Sequence, residues 1–356
     1  MATFRRFLIA GRRHYSSQQN PTRLELFKTV YSPAFEKLQK STPEYTALAR
    51  SGKVWENFFK PQNIKPYLAA QAKLQDILNC ADKHKLFSKR TDVMKTVTRA
   101  LVTEYAHQST AIEGNNLRVG DALDIEDELE KQSSLTLSDL AGMSSQTLAN
   151  LSLPAPDALL SSKDPAQVAE LRNHIIVSRY LVEIGLANSG TAGISLTDIK
   201  QLSRAMLVET ASEKLYTHGW GKRIGLGEFR SAPIAVRSNP MRIFPYPAEV
   251  PACMERFVNW RDDCHASQQL HPLILATHLF VYFCHIHPFP DGNGRVGRAL
   301  MADYMVRQGY MPVVFMNMDR EDYFRMVSNA QDGEPEELCR DVAHTQAEML
   351  FVISQR

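Results

Sequence analysis

The chain has 356 residues, is 44% hydrophobic and 22% charged, and carries a formal net charge of +2. That is the composition of a globular protein with a sizeable core, and a balance so near neutral gives no global sign of nucleic-acid binding. No apolar run approaches the roughly 20 residues of a membrane-spanning helix, and five scattered cysteines without a C-x-x-C pair argue against a disulfide framework or a zinc knuckle.

The first twenty residues contain Arg5, Arg6, Arg12 and Arg13 but no acid, interleaved with Phe4, Phe7, Leu8 and Ile9. An arginine-rich, acid-poor amphipathic start is the balance of a mitochondrial transit peptide, so residues 1–20 predict mitochondrial targeting, to the matrix. Residues 21–90 read as a helical region, with breaks expected at Pro33, Pro43, Pro61 and Pro66 and no evident chemistry. From Thr91, Val93, Val97, Leu101 and Tyr105 recur at four-residue spacing, predicting a helix with one buried face that stops at Gly114-Asn115. Ser109 and Glu113 then project from one side of it, a turn apart. Residues 117–164 predict an acidic helix near 121–131, followed by a Ser- and Pro-rich linker over 132–164.

Helices are expected over 165–187 and 196–209, the second opened by Ser195 and Asp198 as a capping box. Trp220 to Pro247 holds the β-signal: a Gly-rich stretch, Ile234-Ala235-Val236, a turn at Ser238-Asn239-Pro240, then Arg242-Ile243-Phe244, which together predict a short exposed hairpin. Further helices follow at 251–264, at 272–285, apolar on most sides, and at 295–308, 321–331 and 336–353. The fold class is therefore mainly α, a helical bundle with one short hairpin.

The loop joining the helices at 272–285 and 295–308 reads HPFPDGNGRVGR, His287 to Arg298. Gly292-Asn293-Gly294 allows successive backbone N–H groups to face one concavity where a helix begins, and Arg295 and Arg298 add positive charge, which is a setting for phosphates. Asp291 stands where one carboxylate would hold Mg²⁺ beside those phosphates, and His287 would be largely neutral and available as a base at pH 7. The loop is neither a Walker A sequence nor a dinucleotide fingerprint. His285 and His287 invite a transition-metal pair, but imidazoles two apart at a helix end usually diverge.

HPFPDGNGRVGR resembles the signature of the Fic family, H-x-F-x-[DE]-G-N-G-R-x-x-R, at every specified position, and the resemblance extends from about Thr91 to the C-terminus. It implies a helical fold with a β-hairpin flap, about 227–247, beside the active loop of a catalytic core at 165–356. The implied activity is transfer of AMP from ATP to a hydroxyl side chain of a target protein. His287 would be the base, Asp291 the Mg²⁺ ligand, and Gly292, Asn293, Gly294 and Arg295 the phosphate cradle, with Arg298 binding further phosphate and Phe289 anchoring the loop. STAIEGN, residues 109–115, resembles the family's inhibitory helix, [ST]-x-x-x-E-[GN]. By that resemblance residues 91–116 form an inhibitory element, in which Ser109 and Glu113 regulate the site and Glu113 pairs with Arg298 against the γ-phosphate. The flap resemblance implies target docking at Phe229, Arg230 and Ile234, although Arg237 stands where the family often has glycine. Tyr323 and Gln331 fall where relatives line the nucleotide base, with asparagine more usual than Gln331. Two other readings stay open: removal of AMP from a modified protein, with Glu113 orienting water, and a noncatalytic nucleotide sensor. The partners expected are ATP and a hydroxyl-bearing protein, without nucleic acid or a membrane span, and a homodimer is left open.

Overall fold

The computed structural model describes residues 22–83, 91–132, 137–218, 223–314 and 318–354. The proposed targeting segment lies outside them, as does part of the Gly-rich stretch at 219–222. The helices are Arg23–Phe35 (α1), Pro43–Ser51 (α2), Lys53–Phe59 (α3), Lys65–Lys73 (α4), Gln75–Lys83 (α5), Thr91–Glu113 (α6), Val119–Gln132 (α7), Leu137–Ala141 (α8), Ser145–Leu148 (α9) and Pro156–Leu159 (α10). They continue as Pro165–Ala187 (α11), Leu196–Leu207 (α12), Glu213–His218 (α13), Val250–Ser267 (α14), Pro272–Ile286 (α15), Asn293–Arg307 (α16), Arg320–Gln331 (α17) and Glu336–Ser354 (α18). The mainly helical class is as expected, and among the described residues no helix is long and apolar enough to cross a membrane.

Three helices make the interior. Every residue of α15 from Leu273 to Ile286 is buried, as its all-round apolar pattern demands, and α16 packs along it with almost equal burial. Helix α11 packs against α16 on one side and α6 on the other, which brings the expected inhibitory helix to the start of α16. Ser195 and Asp198 form the expected capping box of α12. Thr22 and Glu25 form another at α1, where the sequence had suggested no specific start.

Three expectations are corrected. Breaks were expected at Pro33, Pro43, Pro61 and Pro66: Pro43 and Pro66 stand in the first turns of α2 and α4, where the missing N–H costs nothing, and Pro61 follows the end of α3, but Pro33 lies inside α1 near its end and does not break it. The linker of 132–164 instead contributes three short helices, and Leu140, Leu148 and Leu159 are buried against α11 and α12. The flap forms no ladder among its described residues: Val236 and Asn239 make one antiparallel bridge around the turn. Prolines at 233, 240, 245 and 247 remove the donors a two-stranded ladder needs, although side chains over 231–236 still alternate outward and inward.

Of the N-terminal region, in which the sequence shows no evident chemistry, the described residues 22–83 pack directly on the core. Helix α4 lies against α15 and α18, and α5 lies against α18. Trp55 of α3 is fully buried, donates from Nε1 to the Ile243 carbonyl at 2.9 Å, and sits edge-on to His285 with ring centroids 4.9 Å apart. The N-terminal region thus supports both the flap and the end of α15.

Candidate active site

The α15–α16 loop is closed by its own residues. Asn293, 2% exposed, accepts the Phe289 N–H at Oδ1 and returns Nδ2 to the Phe289 carbonyl, both at 2.9 Å. Phe289 is fully buried, in the anchoring position the family resemblance implied. Gly292 is the N-cap of α16 in the left-handed region, φ 79°, and a Cβ there would meet Leu207 at 2.9 Å. The first turn of α16 consequently offers backbone N–H groups and the positive end of the helix toward the space beside Asp291.

His287 caps α15 with φ 53°, an uncommon conformation for a residue with a side chain. Its strain is held by tertiary bonds, since Arg230 donates from Nε to the His287 carbonyl at 2.8 Å and from its backbone N–H to the Pro288 carbonyl at 2.9 Å. Nδ1 of His287 lies 3.1 Å from the Cys284 carbonyl, so this nitrogen carries the proton and Nε2 is left as the basic atom. Burial, assisted by Arg230, pushes the His287 pKa down to about 4 against the pull of the Cys284 carbonyl, Asp291 and Glu113. The imidazole is neutral at pH 7, with Phe244 packed over it at 4.8 Å.

The two arginines are both engaged. Arg298, 4% exposed, donates from Nε to Ser109 Oγ and from Nη2 to the Ser109 carbonyl, each at 2.8 Å, and pairs through Nη2 with Glu113 Oε1 at 2.7 Å. Its Nη1 donates to the Tyr323 hydroxyl at 3.1 Å. Arg295 pairs with Glu170 of α11, donates from Nη2 to Ser212 Oγ at 3.1 Å, and its buried Nε has no acceptor among the described residues. Ser212 in turn donates to Asp291 Oδ2 at 2.6 Å, so one hydroxyl orients the carboxylate next to the cradle. A Cβ on Gly294 would press on the Glu113 carboxylate and make it shift, so glycine at this position permits the close approach.

Most residues singled out in the sequence converge here: His287, Asp291, Gly292, Asn293, Gly294, Arg295 and Arg298 line one loop, with Ser109 and Glu113 against it. Asn293 acts inward, its side chain being consumed by Phe289. Arg230 is a correction. It is 3% exposed and also donates to the Pro245 carbonyl at 2.5 Å and the Ala232 carbonyl at 3.2 Å, so it braces the loop and cannot meet a docked partner. Phe229 is half-buried on Phe289, at 5.6 Å between ring centroids, and Ile234 is half-buried, its carbonyl accepting from Arg23 of α1. Tyr323 is 1% exposed beneath Arg298, a support for the arginine rather than an exposed face for a base, and Gln331 lies half-buried two turns along the same helix.

His285 turns away from His287 into Trp55 and Phe59, and no cluster of three or more metal-ligating side chains occurs among the described residues. Asp291 is a single carboxylate, 41% exposed, which suits Mg²⁺ arriving with phosphate and water oxygens but no all-protein metal cage. Cys284, close beneath the loop, is held protonated, its pKa pushed up to about 12 by burial.

Glu170, Ser212 and Asn115 were missed as site residues. The signal for Glu170 was the polar run Glu170 to His174, interrupted only by Leu171, in a helix buried on nearly every side. Ser212 and Asn115 carry no comparable signal; Asn115 reads simply as a helix stop.

Residues 193–305 match the model of the Fic/DOC family. Over 150 residues, 42% of the chain, it is 33% identical to the Protein adenylyltransferase Fic of Drosophila melanogaster and, equally, to that of Drosophila virilis. The chain spans about a quarter of the length of these relatives, 27% and 28%. Among solved structures it superposes on Fic-1 from C. elegans with a TM-score of 0.57 at 18% identity, covering 95% of this chain and 94% of that one. A Fic domain-containing signaling protein from Bacteroides thetaiotaomicron gives 0.51 at 19% identity, covering 78% and 92%. These structural likenesses bear on the fold.

Proposed function

Because the chain carries a Fic/DOC-family domain at residues 193–305, we propose that it is a protein adenylyltransferase, moving AMP from ATP to a hydroxyl of a target protein, and that Glu113 holds it in a low-activity state. The observation that carries the reading is the orientation of His287: Nδ1–H faces the Cys284 carbonyl, leaving a neutral Nε2 next to a cradle formed by a helix N-terminus and two arginines. Nε2 takes the proton of the target hydroxyl as its oxygen attacks the α-phosphorus. The bond to the bridging oxygen breaks and pyrophosphate leaves, the phosphate charge being met by the N–H groups of α16 and by Arg295. Asp291, oriented by Ser212, would hold Mg²⁺, which when bound neutralises triphosphate charge.

Glu113 supports inhibition in two ways. It occupies Arg298 at 2.7 Å, and its carboxylate stands so close to Gly294 that it would repel a terminal phosphate approaching the same space. With ATP labelled at the α-phosphate, Glu113→Gly should raise self-labelling well above wild type and His287→Ala should abolish it. Equal labelling by Glu113→Gly and wild type would sink the inhibitory role. Labelling that survives His287→Ala would sink the base assignment. Glu113-dependent release of AMP from a modified target would make removal the reaction, and ATP binding without transfer, even in Glu113→Gly, would mark a sensor. The composition of residues 1–20 supports a mitochondrial destination for this activity, testable by imaging the tagged full chain with and without them.

A further inference from the structure

The turn that ends α6 is held by α11. Gly114 adopts φ 103°, and the next residue, Asn115, is 7% exposed. Its Nδ2 donates to the Gln167 carbonyl at 3.0 Å and to Glu170 Oε2 at 2.9 Å, while its Oδ1 accepts the Leu117 N–H at 3.1 Å. The Asn116 N–H donates to Gln167 Oε1 at 2.9 Å. The other oxygen of Glu170, Oε1, pairs with Arg295. One carboxylate, its side chain 16% exposed, is therefore shared between the end of the helix that carries Glu113 and the first arginine of the cradle.

We infer that Glu170 is a positioning residue that couples the inhibitory helix to the phosphate cradle, an inference resting on the autoinhibited transfer proposed above. Through Asn115, two residues beyond Glu113, it fixes the end of α6 and keeps the Glu113 carboxylate on Arg298; through Oε1 it fixes the guanidinium of Arg295. Hydrogen bonds to an ionised acceptor are about twice as strong as neutral ones, so losing this anchor loosens Glu113 more than losing an ordinary turn bond would. The last turn of a helix also frays readily without outside partners.

The test uses the full chain, self-labelling with α-labelled ATP, and thermal unfolding of every variant. Asn115→Ala removes the tether without touching Glu113 or the cradle, and should raise labelling about tenfold over wild type, the scale of one lost bond to a charged group. On top of Glu113→Gly it should change labelling by less than about twofold, because nothing is left to release. A purely structural role predicts lower labelling in both backgrounds with a lower melting temperature, and that result would overturn the coupling. Glu170→Gln keeps an oxygen for Asn115 but cannot ion-pair with Arg295. With that acceptor neutral the Asn115 tether weakens, so labelling should rise above wild type, but by less than in Asn115→Ala. In the Glu113→Gly background it should raise KM for MgATP several-fold with kcat within about twofold, and an unchanged KM would overturn the Arg295 arm. If Glu113→Gly itself labels no more than wild type, autoinhibition fails and takes the coupling with it. If Glu113→Gly is activated and Asn115→Ala is not, only the coupling fails.

Discussion

The loop of residues 287–298 and the flap segment that faces it across His287 are held in opposite ways. In the loop the defining bonds span three or four residues: Asn293 to Phe289 in both directions, and His287 to Cys284. The flap is fixed from far along the chain. Trp55 reaches Ile243 across 188 residues, Arg23 reaches Ile234 across 211, and Arg242 pairs with Asp332 of the α17–α18 turn at 2.5 Å. A locally closed loop keeps its shape by its own bonds, whereas a remotely braced flap depends on the packing of the N-terminal helices; under the proposed function this would tie the placement of a docked target to those helices. Arg230 joins the two, a flap residue whose donors go largely to loop and flap carbonyls.

The strongest way to break this contrast is Asn293→Ala. It deletes both bonds that close the loop, and a misplacement of about 1 Å in a site of this kind costs on the order of a hundredfold in rate. We expect labelling in the Glu113→Gly background to fall by about that much or more while the flap stays intact, checked by activity beside protection of flap amides in hydrogen exchange. Arg230→Met comes next, leaving the His287 and Pro245 carbonyls unsatisfied inside the protein. It should destabilise the chain by about 3 kcal/mol, measured in urea, and lower labelling of both self and targets. Trp55→Phe removes one bond to Ile243 and should cost about 1 kcal/mol. Its sharper reading is selectivity, since target labelling should fall while ATP binding, measured by calorimetry, is unchanged.

The smallest expected effect is on pH. Because the folded His287 has a pKa near 4, its base form persists on acidification, and kcat/KM for the transfer should show no acid limb from His287 between pH 7.5 and 5.5. Stability behaves otherwise. Burial holds His174, His278 and His285 neutral as well, with His278 down at about 3, while the unfolded chain takes up protons near pH 6.5. The unfolded state then binds more protons, so stability is lost as pH falls below about 6.5, and the melting temperature should decline from pH 7 toward 5 before the base is titrated.

Much of this was legible before any tertiary structure. The helices from α11 onward, short α13 excepted, follow from apolar periodicity and capping residues, with Asp198 closing its box on Ser195 as read. Within the site, the residues that work through neighbours in sequence were recognisable, and Ser109 and Glu113 were set on one helix face by spacing alone. Phe244 over His287, Ser212 on Asp291 and Glu170 on Arg295 were not, because each pairing joins segments between 43 and 125 residues apart; neither Phe244 nor Ser212 carries a signal, and the polar run around Glu170 does not name its partner.

By itself, then, the sequence determined a helical chain with a phosphate-suited loop, since helix period, glycine turns and the reach of an asparagine across four residues are local properties of the backbone. Only the tertiary structure decided that Arg230 is buried as a brace, that Tyr323 lies under Arg298, and that α11 holds the end of α6 beside the cradle. Those outcomes depend on which buried donors find acceptors when distant helices pack, a condition set by the whole core and by no single stretch of it.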